Sequence, residues 1–229
     1  QQARLEPDEK LRALLSNALL EWGTGPVPAV ALPGIQADRD AAREVKQNEN
    51  VLVVIGNPPY EGFSAAENAA EQALLDDWIS PLLPRWGVRK HRLGDLYVRF
   101  WRVAVRRIAE LTGQGVISFI SNSKWLDGRS FPAMRRDLVM KFDEIVIDDL
   151  QGSVNDQAAG DESVFKTTIA SGIKVGVAIV TAVRRPDHPE PNSDANGVDV
   201  PIPATVRGRT LHGGASVKRA QLAAYSPTT

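Results

Sequence analysis

The apolar run Val51-Leu52-Val53-Val54-Ile55 ends abruptly at Gly56-Asn57-Pro58-Pro59-Tyr60, and this junction constrains the fold more than any other part of the chain. An uninterrupted run of mostly β-branched residues suits a strand buried on both faces. Consecutive prolines bring no N–H to a ladder, so the strand stops where they begin. A buried strand of this kind belongs in an open α/β sheet, where ligands gather outside the carboxyl ends of the strands. The residues at the junction also carry chemistry. The Asn57 amide offers an acceptor oxygen to an N–H, and a carbonyl held ahead of a proline offers a second from a backbone that barely flexes. Two acceptors on one exocyclic amino group localise a lone pair otherwise conjugated into its ring, which aims a poor nucleophile at an electrophilic carbon. Tyr60 adds a flat face on which an extruded base can stack. The plainer reading is that Pro58 and Pro59 only end the strand and that Tyr60 is a half-buried core aromatic.

Downstream, strand and helix patterns alternate. The clearest helix covers 95–112: Asp95 can cap it and Gly113 can end it. Tyr97, Phe100, Trp101, Ala104, Ile108 and Leu111 share one face, and Arg99, Arg102 and Arg106 another. Strands are expected over 115–121 and 144–150, with a helix near 132–141 between them. This alternation predicts a parallel sheet with crossovers. The stretch 174–184 is apolar or small on both parities, which marks an internal strand. Helical patterns are also read over 8–22, 37–47 and 65–83, with loop at 23–33, a mobile segment from Pro84 to Leu93, and a Pro, Asn and Asp linker at 186–203. The chain therefore divides into a lead-in segment, 1–50, a catalytic region, 51–185, and a linker with the start of a possible target-recognition region, 186–229.

Composition removes several classes of function. With 229 residues and 43% hydrophobic content the chain can build a core, and a net charge of −1 gives it no overall basic excess for nucleic acid. Any DNA contact must come from local patches, of which two stand out: Arg99, Arg102, Arg106 and Arg107 on one helix, and Arg207, Arg209, Lys218 and Arg219 in the tail. The bland reading is a solvated helix face and a loose terminus. The absence of cysteine excludes disulfides, thiolate metal sites and any mechanism through a cysteine nucleophile. His91, His188 and His212 lack metal-ligand spacing, so no metal is expected. No apolar run approaches the roughly 18 residues that span a bilayer, and no secretory signal pattern opens the chain, so a cytoplasmic location is expected.

Asn57-Pro58-Pro59-Tyr60 resembles the catalytic motif of amino-group DNA methyltransferases that modify adenine at N6. Asp95-Leu96-Tyr97-Val98-Arg99-Phe100, Gly115-Val116-Ile117-Ser118-Phe119-Ile120 and Ser123-Lys124-Trp125-Leu126 resemble the helix, strand and turn that follow in that class. Phe142 to Leu150 and Val164 to Val183 are similar to its last strands, and Gly56 through Arg185 is most similar to the methyltransferase region of the Type ISP restriction-modification enzymes. The resemblance implies a Rossmann-like S-adenosylmethionine-dependent methyltransferase fold acting on double-stranded DNA. It gives Asn57, Pro58, Pro59 and Tyr60 the catalytic role, sets Tyr60 and Phe165 against the flipped base, and sets Phe100 against the cofactor adenine. Core packing is an equally simple account of both phenylalanines. The fold also needs a glycine-rich turn and a ribose-binding acid, for which Glu21-Trp22-Gly23-Thr24-Gly25 is a poor match, because Pro26 and Pro28 deny it the following helix. The chain is therefore read as the carboxyl half of a catalytic domain, lacking its first strands and belonging with the rest of a larger restriction-modification enzyme. The alternative is a truncated, non-catalytic remnant that binds DNA or a partner.

Overall fold

The computed structural model describes residues 13–14, 16–19, 32–60, 69–158, 160–165, 175–189, 192–193, 199–200 and 202–224, and the chain divides into two units, 1–50 and 51–229. In the first unit, helix α1 (Pro33–Asn48) opens on a proline, whose missing N–H would have had no intrahelical partner there. Ala42 and Lys46 are its buried residues, and Lys46 Nζ donates to the Asn17 carbonyl at 2.7 Å. Of the helix expected over 8–22, residues 13–14 and 16–19 are described and none is helical: the chain turns at Ala18-Leu19, where Asn17 Oδ1 accepts from the Leu19 amide at 2.9 Å, a local bond that competes with helix. Glu21-Trp22-Gly23-Thr24-Gly25 lies outside the described residues.

The second unit carries strands β1 (Val53–Gly56), β2 (Gly115–Asn122), β3 (Glu144–Asp149) and β4 (Val177–Arg184), the short pair β5 (Asn192–Ser193) and β6 (Asp199–Val200), and β7 (Thr205–Thr210). Its helices are α2 (Ala69–Ala73), α3 (Asp76–Ile79), α4 (Leu82–Trp86), α5 (Leu96–Val105), α6 (Pro132–Lys141), α7 (Val154–Ala158) and α8 (Ala215–Ala223). The five-stranded sheet runs in the order β1-β2-β4-β3-β7. β1 is parallel to β2 and β7 is parallel to β3, but β4 is antiparallel to both of its neighbours. The fold is thus mixed α/β, where a parallel sheet was expected. Among the described residues of the β3–β4 connection the one helix is the short α7, and β4 starts from the edge at which β3 ended. Its central position follows from its two apolar faces, as the sequence suggests. β7 joins the same sheet from within the stretch expected to be linker and recognition region.

One face of the sheet holds the main core. Ile117, Phe119, Ile145, Ala178, Val180 and Ala182 pack there against Tyr97, Trp101 and Ile108 of the long helix and Met134 and Leu138 of α6. Trp101 meets Phe119 edge-on at 5.0 Å and donates to Ser121 Oγ at 3.2 Å. These contacts place the start of α5 at the carboxyl end of the strands. The helix expected over 95–112 is α-helical through Val105 and π-helical from Arg106 to Thr112, ending on Gly113 at φ 81°. Asp95 occupies the cap position without a side-chain capping bond. A π turn takes more residues than an α turn, which shifts the apolar stripe, and Leu111 is left 50% exposed.

Three of the four arginines of this helix belong to neither a solvated face nor an open basic patch, and Arg106 is half-buried. Arg99, Arg102 and Arg107 are buried. Arg99 pairs with Glu71 at 2.7 Å, with side chains 2% and 5% exposed. Arg102 reaches Asp77 at 2.5 Å and Glu110 at 2.7 Å, with its guanidinium over the Trp78 ring. The helices between residues 69 and 86 supply Glu71 and Asp77, while Glu110 comes from the π-helical end of the same helix. They also replace the single helix expected over 65–83, which breaks at Leu75 and again at Pro81. The tail patch is likewise ordered: Arg207 pairs with Glu144 at 3.2 Å, Arg209 pairs with Asp148, and Lys218 is fully buried. No described helix is long and apolar enough to cross a membrane.

Candidate active site

β1 is the outermost strand of the sheet, in register with β2 from Val53 opposite Val116 to Gly56 opposite Phe119. Gly56 suits this approach, since a Cβ there would meet Phe119 Cε1 at 3.2 Å, a tight contact that the ring would have to yield to. Val54 packs on the main core, while Val53 and Ile55 are 59% and 78% exposed. The strand expected to be buried on both faces is therefore covered on one: among the described residues, α5 and α6 pack on the core to which Val54 belongs.

The chain leaves β1 at its carboxyl end with Asn57 exposed, Pro58 buried, Pro59 exposed and Tyr60 half-buried. Pro58 anchors the turn, and the Asn57 amide remains open to a ligand. The same edge collects the end of β2, where Asn122 Oδ1 caps the turn through Lys124 N at 3.0 Å, and the Ser123 amide, which donates to the Gly176 carbonyl at 2.9 Å. Tyr60 and Phe165, far apart in sequence, are brought together here: their rings lie 6.1 Å apart at 44°. Both pack against a second cluster, Leu150, Val164, Val177 and Leu211, on the face of the sheet opposite the main core. The aromatic pair is thus at once a packing contact and an aromatic wall beside Asn57. Burial pushes the Tyr60 hydroxyl up to about 12, with nearby Asn57 offsetting part of the effect. Among the described residues that hydroxyl has no well-formed hydrogen bond. Tyr60 therefore acts as a neutral ring at any ordinary pH.

Phe100 lies in the second turn of α5, half-buried against the main core. Part of its ring is open, but no other described residue among those expected to hold a cofactor stands beside it. The described residues do not by themselves make up a methyl-donor site. Two clefts of about 440 and 460 Å³ exist in this unit, and neither is lined by Asn57, Tyr60 or Phe100. The more polar one lies at the carboxyl edge between Ser123, Lys124, Asp149, Gln151, Asp156 and Gly176. Burial raises the Asp149 carboxyl above its usual range, with Asp156 and Asp127 adding to the rise. Gln151 adopts φ 53°, a left-handed conformation rare outside glycine. Sequence reasoning missed this cleft; the glycine after Gln151 is the signal that could have marked the turn beside it. Among the described residues no group of metal-ligating side chains is found.

Several solved structures share the fold. A DrdV–DNA complex is 24% identical with a TM-score of 0.67, over 91% of this chain and 19% of that one. The ATP-dependent Type ISP restriction-modification enzyme LlaBIII bound to DNA is 20% identical with a TM-score of 0.66, over 91% of this chain and 13% of that one. A nuclease-deletion mutant of the Type ISP enzyme LlaGI, in complex with a DNA substrate mimic, is 20% identical with a TM-score of 0.66, over 95% and 17%. The chain thus spans less than a fifth of the length of each of these proteins. No curated protein sequence matches it. Residues 31–155, more than half of the chain and including the whole of β1 and its Asn-Pro-Pro-Tyr exit, match the Eco57I restriction-modification methylase, and the chain belongs to that family.

Proposed function

We propose that this domain serves the methylation of the adenine N6 amino group in double-stranded DNA, with S-adenosylmethionine as donor, as part of a larger restriction-modification enzyme. The observation that carries the reading is the exit of β1, where an exposed Asn57 follows a strand fixed by Gly56, on an anchored Pro58, beside the Tyr60–Phe165 wall. The donor supplies an electrophilic methyl; this chain's residues orient the acceptor. Asn57 Oδ1 and the Pro58 carbonyl accept the two N–H bonds of the amino group, which draws its lone pair out of the ring. Pro59 stiffens the carbonyl that precedes it, so the acceptor pair is set before the base arrives. Tyr60 and Phe165 give the extruded base an apolar surface, which lowers the cost of leaving the stack. The chain contains no cysteine, which fits direct transfer to nitrogen without a covalent enzyme intermediate.

In the complete enzyme, Asn57→Ala is expected to remove methyl transfer while leaving DNA and cofactor affinity nearly unchanged, because the lost acceptor works mainly in the transition state. A missing contact of this type costs roughly 3 kcal/mol or more. Near-normal turnover of methyl-tritiated S-adenosylmethionine would refute the assignment. A second reading, a non-catalytic DNA- or partner-binding remnant, is favoured by the lack of a donor site among the described residues. Calorimetry with S-adenosylmethionine separates the two.

A further inference from the structure

We propose that the carboxyl-terminal segment β7–α8 is a clamp that sets the Phe165 wall against Tyr60, with Lys218 as its central positioning residue; the clamp's use in catalysis rests on the base-stacking role proposed above. Lys218 is 0% exposed. Its ammonium donates to the Leu150 carbonyl at 2.8 Å and the Glu162 carbonyl at 2.9 Å, with Asp161 Oδ1 at 3.9 Å. A methionine or leucine would fill the same space without the cost of desolvating a cation. What the cation adds is a bond between two separate backbones. One is the end of β3, and the other leads directly into Val164 and Phe165.

The neighbouring contacts repeat this arrangement. Arg219 Nη2 donates to the Val164 carbonyl at 2.7 Å. The Glu162 amide donates to the Gly213 carbonyl at 3.2 Å, and Glu162 Oε2 accepts from the Ala215 amide at 3.1 Å, at the start of α8. Asp161 accepts from the Gly213 amide at 2.6 Å and lies 2.8 Å from His212 Nδ1. On the other side Gly152, at φ 91°, lets the end of β3 close onto Ser163, whose Cα a Cβ would meet at 2.8 Å. Residues 161–165 belong to no helix or strand, so no ladder of their own holds them. Their place is inherited from β7–α8, which also sends Leu211 and Leu222 into the cluster that backs Tyr60 and Phe165.

The test reads ring proximity in the full chain by aromatic NOE spectroscopy, which requires no methyl transfer. Wild type shows Tyr60–Phe165 cross-peaks. Lys218→Met is expected to lose them and to speed exchange of the Glu162 amide at least tenfold, while the Trp101–Phe119 cross-peaks of the main core stay unchanged. Should Lys218→Met fail to fold, Arg219→Gln combined with His212→Ala, both at exposed side chains, removes two peripheral bonds and is expected to weaken the Tyr60–Phe165 signal alone. Persistence of that signal in Lys218→Met, or in the double variant where Lys218→Met does not fold, overturns the clamp. The outcome is independent of the Asn57→Ala assay, so failure of the methyltransfer reading and failure of the clamp are told apart.

Discussion

At Tyr60 two demands meet in one side chain: the ring backs a cluster of apolar residues, and its edge borders the Asn57 amide. The hydroxyl serves neither demand. It is shielded from solvent with no well-formed bond among the described residues, and burial holds its pKa at about 12. Removing a buried hydroxyl without a partner costs little. Tyr60→Phe is therefore expected to match or slightly exceed wild type in thermal stability below pH 10. The sign of the pH effect follows from the raised pKa. Above the unfolded value of about 10 the unfolded state ionises while the folded state stays neutral until about 12, so wild type loses stability in that window and Tyr60→Phe does not. Tyr60→Ala removes the stacking surface itself, worth about 1–3 kcal/mol per base. In the complete enzyme it should weaken extrusion of a 2-aminopurine target, with Tyr60→Phe and Tyr60→Trp largely retaining it. Equal 2-aminopurine emission in wild type and Tyr60→Ala would remove the stacking role.

Among the elements, the α5 helix shows what patterning conveys and what it omits. Its apolar stripe as far as Ile108 and the glycine stop at Gly113 are local properties, and the structure has them. The fate of its arginines is only partly local: Glu110 lies in the same helix, but Glu71 and Asp77 come from short helices some 25 residues upstream whose own pattern is irregular. Charge on one face therefore looked solvated. The same limit explains the sheet: β-branched runs mark strands, but the direction of β4 depends on whether a crossover precedes it. The candidate site divides in the same way. Asn57-Pro58-Pro59-Tyr60 is contiguous and legible, Phe165 needed a family resemblance, and the β7–α8 clamp depends on backbone carbonyls that no side-chain pattern reports. The Arg99–Glu71 pair gives this a measurable consequence. Glu71→Leu leaves a guanidinium buried without its carboxylate and should cost about 3–5 kcal/mol in urea unfolding, whereas replacing both members with apolar residues should recover most of that loss. A single-mutant cost within about 0.5 kcal/mol of zero would show that Glu71 is not what neutralises Arg99.

For the whole molecule, on the reading proposed above, the described residues take the acceptor side of the site. β1 borders the sheet with Leu52, Val53 and Ile55 exposed by 49%, 59% and 78%, so the strand that carries the motif is supported from one side only. Of the residues expected to hold the donor, Phe100 alone is described, with part of its ring committed to the core. One aromatic face supplies about 1–3 kcal/mol. A micromolar dissociation constant requires about 8 kcal/mol, so Phe100 falls well short. The chain expressed by itself is therefore expected to bind S-adenosylmethionine no tighter than the millimolar range and to methylate DNA undetectably, although it carries Asn57-Pro58-Pro59-Tyr60. Titration calorimetry measures this directly. Micromolar binding would mean that residues outside the described set complete the donor site, and Glu21-Trp22-Gly23-Thr24-Gly25 would then be the first segment to mutate: loss of that affinity in Glu21→Ala would identify it as the ribose-binding turn despite the prolines that follow it.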